Sequence, residues 1–162
     1  MFQRKFSLIA CLSIMAIGPE ATPAETPAPA AAAAAHAVLT EKNRTIVSRF
    51  VELFYVQRDV RRAFETYVAD DYLQHNPNIP DGRAAAIAAL EPLFSKPSAR
   101  FEVKRVLVDG DLAAVHLYGR GSDTEAGSAV VDLFRLKGGK IVEHWDVLQP
   151  MPAKAANAHP MF

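Results

Sequence analysis

The feature that most constrains this chain is a change of hydrophobic period near residue 100. Before it, apolar residues recur at helical spacing. After it, they alternate with polar ones in four runs: Phe101 to Val108, Leu112 to Tyr118, Ala129 to Leu136 and Ile141 to Leu148. Alternation over such lengths marks half-buried strands. The first two runs are joined by Asp109-Gly110 and the last two by Gly138-Gly139. These residue types tolerate the positive φ that two-residue hairpin turns require. The middle connection, Gly119 to Ser128, is longer and glycine-rich. The four runs therefore predict an antiparallel meander.

Three helices are predicted upstream. Thr40 is suited to cap the first, in which Ile46, Val47, Phe50, Val51 and Phe54 share one face and which ends near Gln57. Asp59 caps the second, with Val60, Phe64, Tyr67 and Val68 as its apolar positions. The stretch from Tyr72 to Asp81 holds His75-Asn76-Pro77 and Ile79-Pro80, so it reads as a loop or short extended piece. Asp81 caps a third helix through Ile87 and Leu90, which Pro92 ends or kinks. Helices followed by a meander make an α+β domain, in which the helices cover the apolar face of the sheet.

The flanks differ in kind. Met1 to Lys5 is basic, Phe6 to Ile17 is apolar, and Gly18-Pro19 ends the run. That is the layout of a secretory signal peptide, and it is short for a membrane span. The expected organisation is a signal peptide at 1–18, a disordered Ala/Pro linker at 19–37, a folded domain at 38–150 and a loose tail at 151–162. The mature protein is then secreted or periplasmic, with no stable membrane span. The only cysteine, Cys11, falls in the signal, which leaves no disulfide framework and no thiol chemistry. The chain carries no net formal charge and has no basic stripe, which argues against a nucleic-acid partner. It contains no phosphate-binding glycine loop, nucleophile elbow or dinucleotide fingerprint. His75, His116 and Asp132 could in principle hold a metal, but there is no close-spaced ligand pair of the kind that marks zinc sites. No cofactor or metal is therefore expected.

Asp132 stands out, because it interrupts the apolar run Ala129 to Leu136. A carboxylate on a buried face is costly unless it is paired, hydrogen-bonded or protonated. It is therefore either satisfied structurally, for example by Arg105, or used in a cavity. His116 poses the same question in the strand Leu112 to Tyr118. Strand parity orders these residues. If Asp109-Gly110 is a two-residue turn, Val103 opposes His116. One face then carries Phe101, Val103, Leu107, Leu112, Ala114, His116 and Tyr118, and it is the better core face. If Gly138-Gly139 is the second turn, Asp132 opposes Trp145. Val130, Asp132, Phe134 and Leu136 then share a face with Ile141, Glu143, Trp145 and Val147. On that reading His116, Asp132 and Trp145 point toward the helices, while His144 and Asp146 point away. A single-residue bulge would swap His144 and Asp146 inward.

Desolvation suits Asp132 to act as a general acid or base. His116 could hold a substrate oxygen or share the proton. His75 and Asn76 are placed to line a pocket mouth, and Tyr118 and Trp145 to wall a ring-bearing ligand. The expected partner is a small apolar or carbonyl-containing molecule. An outer face carrying Val106, Val131 and Leu133 also suits a homodimer formed through the sheet.

The order of helices, His75-Asn76-Pro77 after the second, and the late strands Val130-Val131-Asp132-Leu133-Phe134-Arg135 and Gly139-Lys140-Ile141-Val142-Glu143-His144-Trp145-Asp146 resemble the SnoaL-like polyketide cyclase family of the NTF2-like superfamily. The resemblance implies a cone-shaped α+β barrel around a deep, largely apolar pocket. In the polyketide cyclases an Asp on a late strand is the acid–base catalyst of an intramolecular aldol ring closure. A His on the preceding strand binds substrate oxygens, and neither cofactor nor metal is used. Asp132 and His116 match those two places. The resemblance thus implies an exported SnoaL-like domain performing cofactor-independent acid–base chemistry, an aldol-type cyclisation, condensation or enolisation, on a small carbonyl compound. The alternative it leaves open is a non-catalytic periplasmic small-molecule binding protein.

Overall fold

The computed structural model describes residues 29–162. The expected signal segment and residues 19–28 of the expected linker lie outside the described residues. Helix α1 spans Pro29–Val51 and passes directly into a π turn, Glu52–Val56. It is already helical upstream of Thr40, the expected cap, because a run of alanines is the best helix-forming sequence there is. Thr40 serves tertiary contact instead of capping. Its hydroxyl accepts the Gly110 N–H at 2.9 Å, while Asn43 Nδ2 donates to the Gly110 carbonyl at 2.8 Å. The helix thereby grips the first hairpin turn.

Helix α2, Val60–Tyr67, is capped as expected, with Asp59 accepting the Arg62 N–H at 3.1 Å. Such a cap contributes about 1 kcal/mol. Helix α3, Arg83–Phe94, starts after Gly82 and continues through Pro92. Asp81 does not cap it; its carboxylate accepts the Gln74 N–H at 2.7 Å.

The sheet has five strands, β1 Val68–Gln74, β2 Arg100–Asp109, β3 Leu112–Arg120, β4 Ser128–Lys137 and β5 Lys140–Pro150, in the order β1-β5-β4-β3-β2. The last four form the expected antiparallel meander. β1 is additional to it and pairs parallel to β5, so the sheet is mixed rather than wholly antiparallel. The sheet is open, with helices over one face, in keeping with a cone-shaped α+β domain.

Two bulges decide which side chains face inward. In β2, Val103 pairs with Leu117 but Arg105 pairs with His116, so Lys104 is the extra residue. In β5, Ile141 pairs with Leu136 but Glu143 pairs with Arg135, so Val142 is extra. The turns themselves are tight. Lys137 pairs with Lys140 across Gly138 (φ 60°) and Gly139 (φ 82°), as expected, whereas Asp109 pairs with Leu112 across Gly110-Asp111. The inner face therefore carries Val108, Ala113, Val115, Leu117, Val130, Asp132, Phe134, Leu136, Ile141 and His144, all buried.

Phe50 centres the core, its ring packed on Phe54, Phe64 and Phe134 at centroid distances of 5.2, 5.8 and 5.4 Å. Among the described residues no helix is long and apolar enough to cross a membrane.

Candidate active site

Between the π turn, α3 and the inner face of the sheet lies a cavity of about 740 Å³. Phe54, Phe94, Phe101, Leu90, Leu93 and Leu117 form much of its wall. Into this apolar space project the polar groups of Tyr55, Tyr72, Gln74, Asn76, Asp132, His144 and Asp146. Apolar walls with a few convergent polar groups are the usual makeup of a small-molecule site.

Asp132 is 8% exposed, and both of its oxygens are engaged. The Tyr55 hydroxyl donates to Oδ2 at 2.5 Å, and His144 Nε2 lies 3.1 Å from Oδ1. Tyr55 reaches the carboxylate because the π turn buries it together with its neighbour Phe54. Such turns recur at functional sites, since they re-aim one side chain without ending the helix. The His144 ring lies between Phe134 and Tyr72, at centroid distances of 5.0 and 6.4 Å, and its Nδ1 is 2.8 Å from Gln74 Oε1. Asp146 sits opposite Asp132 across β4 and β5, and its Oδ2 accepts from Asn76 Nδ2 at 2.5 Å.

Burial, reinforced by the negative charge of Asp132, pushes the Tyr55 and Tyr72 phenols well above the usual range. Both therefore remain neutral donors at any physiological pH. Because the folded values are raised, the stability they contribute is complete below the ordinary phenol range, about pH 10. It is lost as pH rises from there through the folded values. An ultraviolet pH titration is expected to show Tyr55 and Tyr72 ionising only as the protein unfolds. Ionisation of either phenol in its ordinary range in folded protein would contradict this.

The structure gathers Asp132 and Asn76 in the cavity, but it does not bring the other expected site residues there. His116 is on the outer face, where Arg105 Nη1 donates to its Nδ1 at 2.9 Å. The bulge at Lys104 accounts for the difference: Phe101 and Val103 do face inward, but with Gly119 and Leu117 rather than with His116. Arg105 is thereby also removed as a partner for Asp132. Trp145 faces outward because of the Val142 bulge. Its ring stacks on His75 at 4.7 Å, and His75 Nε2 lies 2.9 Å from Glu143 Oε1. Tyr118 is also on the outer side, donating to the Ala126 carbonyl at 3.1 Å and packing against Phe162. None of these four lines the cavity.

In place of His116 the cavity receives His144 and Asp146, the pair that a single-residue bulge in β5 swaps inward. Tyr55, Tyr72 and Gln74 join them without any counterpart in the sequence pattern. The only signal for Tyr55 is its position beside Phe54, where regular helical spacing would point it elsewhere. Among the described residues, one donor atom from each of Asp132, His144 and Asp146 lies within 4.8 Å of the others. Those three could hold a cation, although His144 Nε2 and Asp132 Oδ1 are already in contact with each other. The ligand set His75, His116 and Asp132 is not assembled, because the first two lie on the outer side of the sheet.

An α+β cone with a hollow between helices and sheet, and acid–base groups inside it, defines an NTF2-like domain. Residues 47–144 match the SnoaL-like domain family, and the chain belongs to that family. No curated protein matches it in sequence. Among solved structures it is similar to an NTF2-like protein of unknown function from Mesorhizobium loti, at 24% identity and TM-score 0.60, covering 68% of this chain and 93% of that one. It is also similar to a protein from Kribbella flavida provisionally named a ketosteroid isomerase, at 21% identity and TM-score 0.58, covering 75% and 84%. A third, from Jannaschia sp. and provisionally named a SnoaL-like polyketide cyclase, has 19% identity and TM-score 0.55, covering 76% and 90%. At these identities the likeness establishes the fold alone.

Proposed function

We propose that the cavity is the active site of a cofactor-independent acid–base enzyme acting on a small carbonyl compound, by enolisation or by an aldol-type cyclisation or condensation. The observation that carries this reading is a buried carboxylate, Asp132, bonded to a neutral phenol and an imidazole inside an apolar hollow. Structural ion pairs are also found buried, but here both partners line the cavity. Asp132 takes the proton α to the carbonyl. His144, touching its other oxygen, supplies the compensating positive charge. Tyr72 and the Asn76 amide, both lining the cavity, are the neutral donors available to the enolate oxygen. The apolar walls exclude water and receive the rest of the molecule.

A crystal soaked with a ring ketone such as 2-tetralone tests the placement. The expected pose puts the carbonyl among Asp132, His144 and Tyr72, with the rings against Phe54 and Phe94. A ketone bound with its carbonyl toward the mouth, or seated on the outer face over Trp145, would overturn the assignment.

A further inference from the structure

His144 is held at both ring nitrogens, and the two contacts are not equivalent. Gln74 Oε1 accepts the backbone N–H of Asn76 at 3.0 Å. A backbone amide can only donate, so it is the oxygen of the Gln74 amide that faces this way. That same oxygen is the atom 2.8 Å from His144 Nδ1. An amide oxygen carries no hydrogen, so Nδ1 must carry one. The nitrogen of the Gln74 amide is turned to the Tyr72 hydroxyl at 3.4 Å, which completes a consistent set. The ring cannot readily flip to exchange its nitrogens, since Phe134 and Tyr72 flank it and it is 7% exposed.

With its hydrogen committed at Nδ1, a neutral His144 would present a bare Nε2 lone pair to the Asp132 carboxylate at 3.1 Å. Two acceptors at that separation repel unless a proton lies between them. We propose that Gln74 is a positioning residue: it fixes the Nδ1–H form of His144, so that the His144–Asp132 pair holds one proton between Nε2 and Oδ1 and is neutral as a unit. The consequence for rate rests on the acid–base reading above; the geometry does not. Without an acceptor at Nδ1, the neutral ring would carry its only hydrogen at Nε2. The pair would then be an imidazole and a carboxylate with net negative charge. Beside the carboxylate Asp146, that site would repel an enolate rather than stabilise it.

Long-range ¹H–¹⁵N spectra of the full chain read the nitrogen states of His144 directly and need no substrate. In wild type, Nδ1 is expected to be protonated. Gln74→Met, similar in length and without an acceptor, is expected to leave Nδ1 bare and Nε2 protonated, and to slow exchange of ketone α-protons at least about tenfold, as a wrong imidazole tautomer does in hydrolytic triads. Gln74→Glu keeps an acceptor for both N–H groups and is expected to retain the wild-type nitrogen pattern. A bare Nδ1 in wild type overturns the proposal even if Gln74→Met fails to fold. So does an unchanged pattern in folded Gln74→Met. The expected nitrogen pattern in a protein that exchanges no ketone would leave the role of Gln74 standing and remove the acid–base reading instead.

Discussion

Asp132→Asn is expected to lower the rate of α-proton exchange about a thousandfold, near the middle of the range that general acid–base groups supply, while the fold persists. The reason is visible in the contacts. The amide oxygen of Asn can accept the Tyr55 hydroxyl, and the amide nitrogen can donate to His144 Nε2, so both partners stay satisfied at distances of 2.5 and 3.1 Å. What the amide cannot do is take up or release a proton. Asp132→Leu is the useful contrast. It strands a buried hydroxyl and a buried ring nitrogen, each at about 1–3 kcal/mol, so it should melt well below Asp132→Asn. Thermal unfolding by circular dichroism, alongside exchange followed by proton NMR, separates the two effects. An Asn variant that exchanges at the wild-type rate would transfer the base role to Asp146, the cavity carboxylate opposite Asp132 across β4 and β5.

The largest effect on stability is expected at Phe50. The side chain is fully buried and touches three other aromatic rings, from the π turn, α2 and β4. Phe50→Ala removes those contacts and leaves a cavity that backbone from several elements cannot close, at about 3–5 kcal/mol. For a domain of this size that should lower the melting temperature by more than about 10 °C. The site should feel the loss as well. Phe54 and Phe64 line the cavity and Phe134 stacks on His144, so all three rings that Phe50 supports bear on the site. A drop of only a degree or two would mean that this cluster is not the centre of the core.

Much of the architecture is legible in the chain because its signals are local. Helical spacing from Ile46 to Phe54, the Asp59 cap and the paired glycines at Gly138-Gly139 each specify their own element. The inward orientation of Asp132 is legible for a related reason. β4 carries no bulge, so Val130, Phe134 and Leu136 keep one parity with it over the whole strand. The bulged strands, β2 and β5, are less readable. Lys104 and Val142 are ordinary strand residues, and nothing in their chemistry marks an extra residue in the ladder. Each bulge nonetheless reverses the faces beyond it, which is why simple parity places His116 and Trp145 inward and His144 and Asp146 outward. β1 is hidden because Asp70 and Asp71 break its alternation, and because parallel pairing with β5 depends on a partner far along the chain. Tyr55 is hidden by the π turn, a departure from the period by which a helix face is read. The resemblance of the late strands locates the family, but the imidazole beside Asp132 comes from β5 rather than from β3.

The central claim is that this cavity moves a proton on a carbonyl compound, and it is tested most directly by incubating the full-length chain and its Asp132→Asn variant with 2-tetralone in D₂O and following the α-proton signals. Deuterium entering the α positions with wild type, and at about a thousandth of that rate with the variant, is the result the account predicts. A ketone that binds and is recovered with its α-protons intact at the solvent background rate would contradict it, and would make the cavity a carrier's binding site instead.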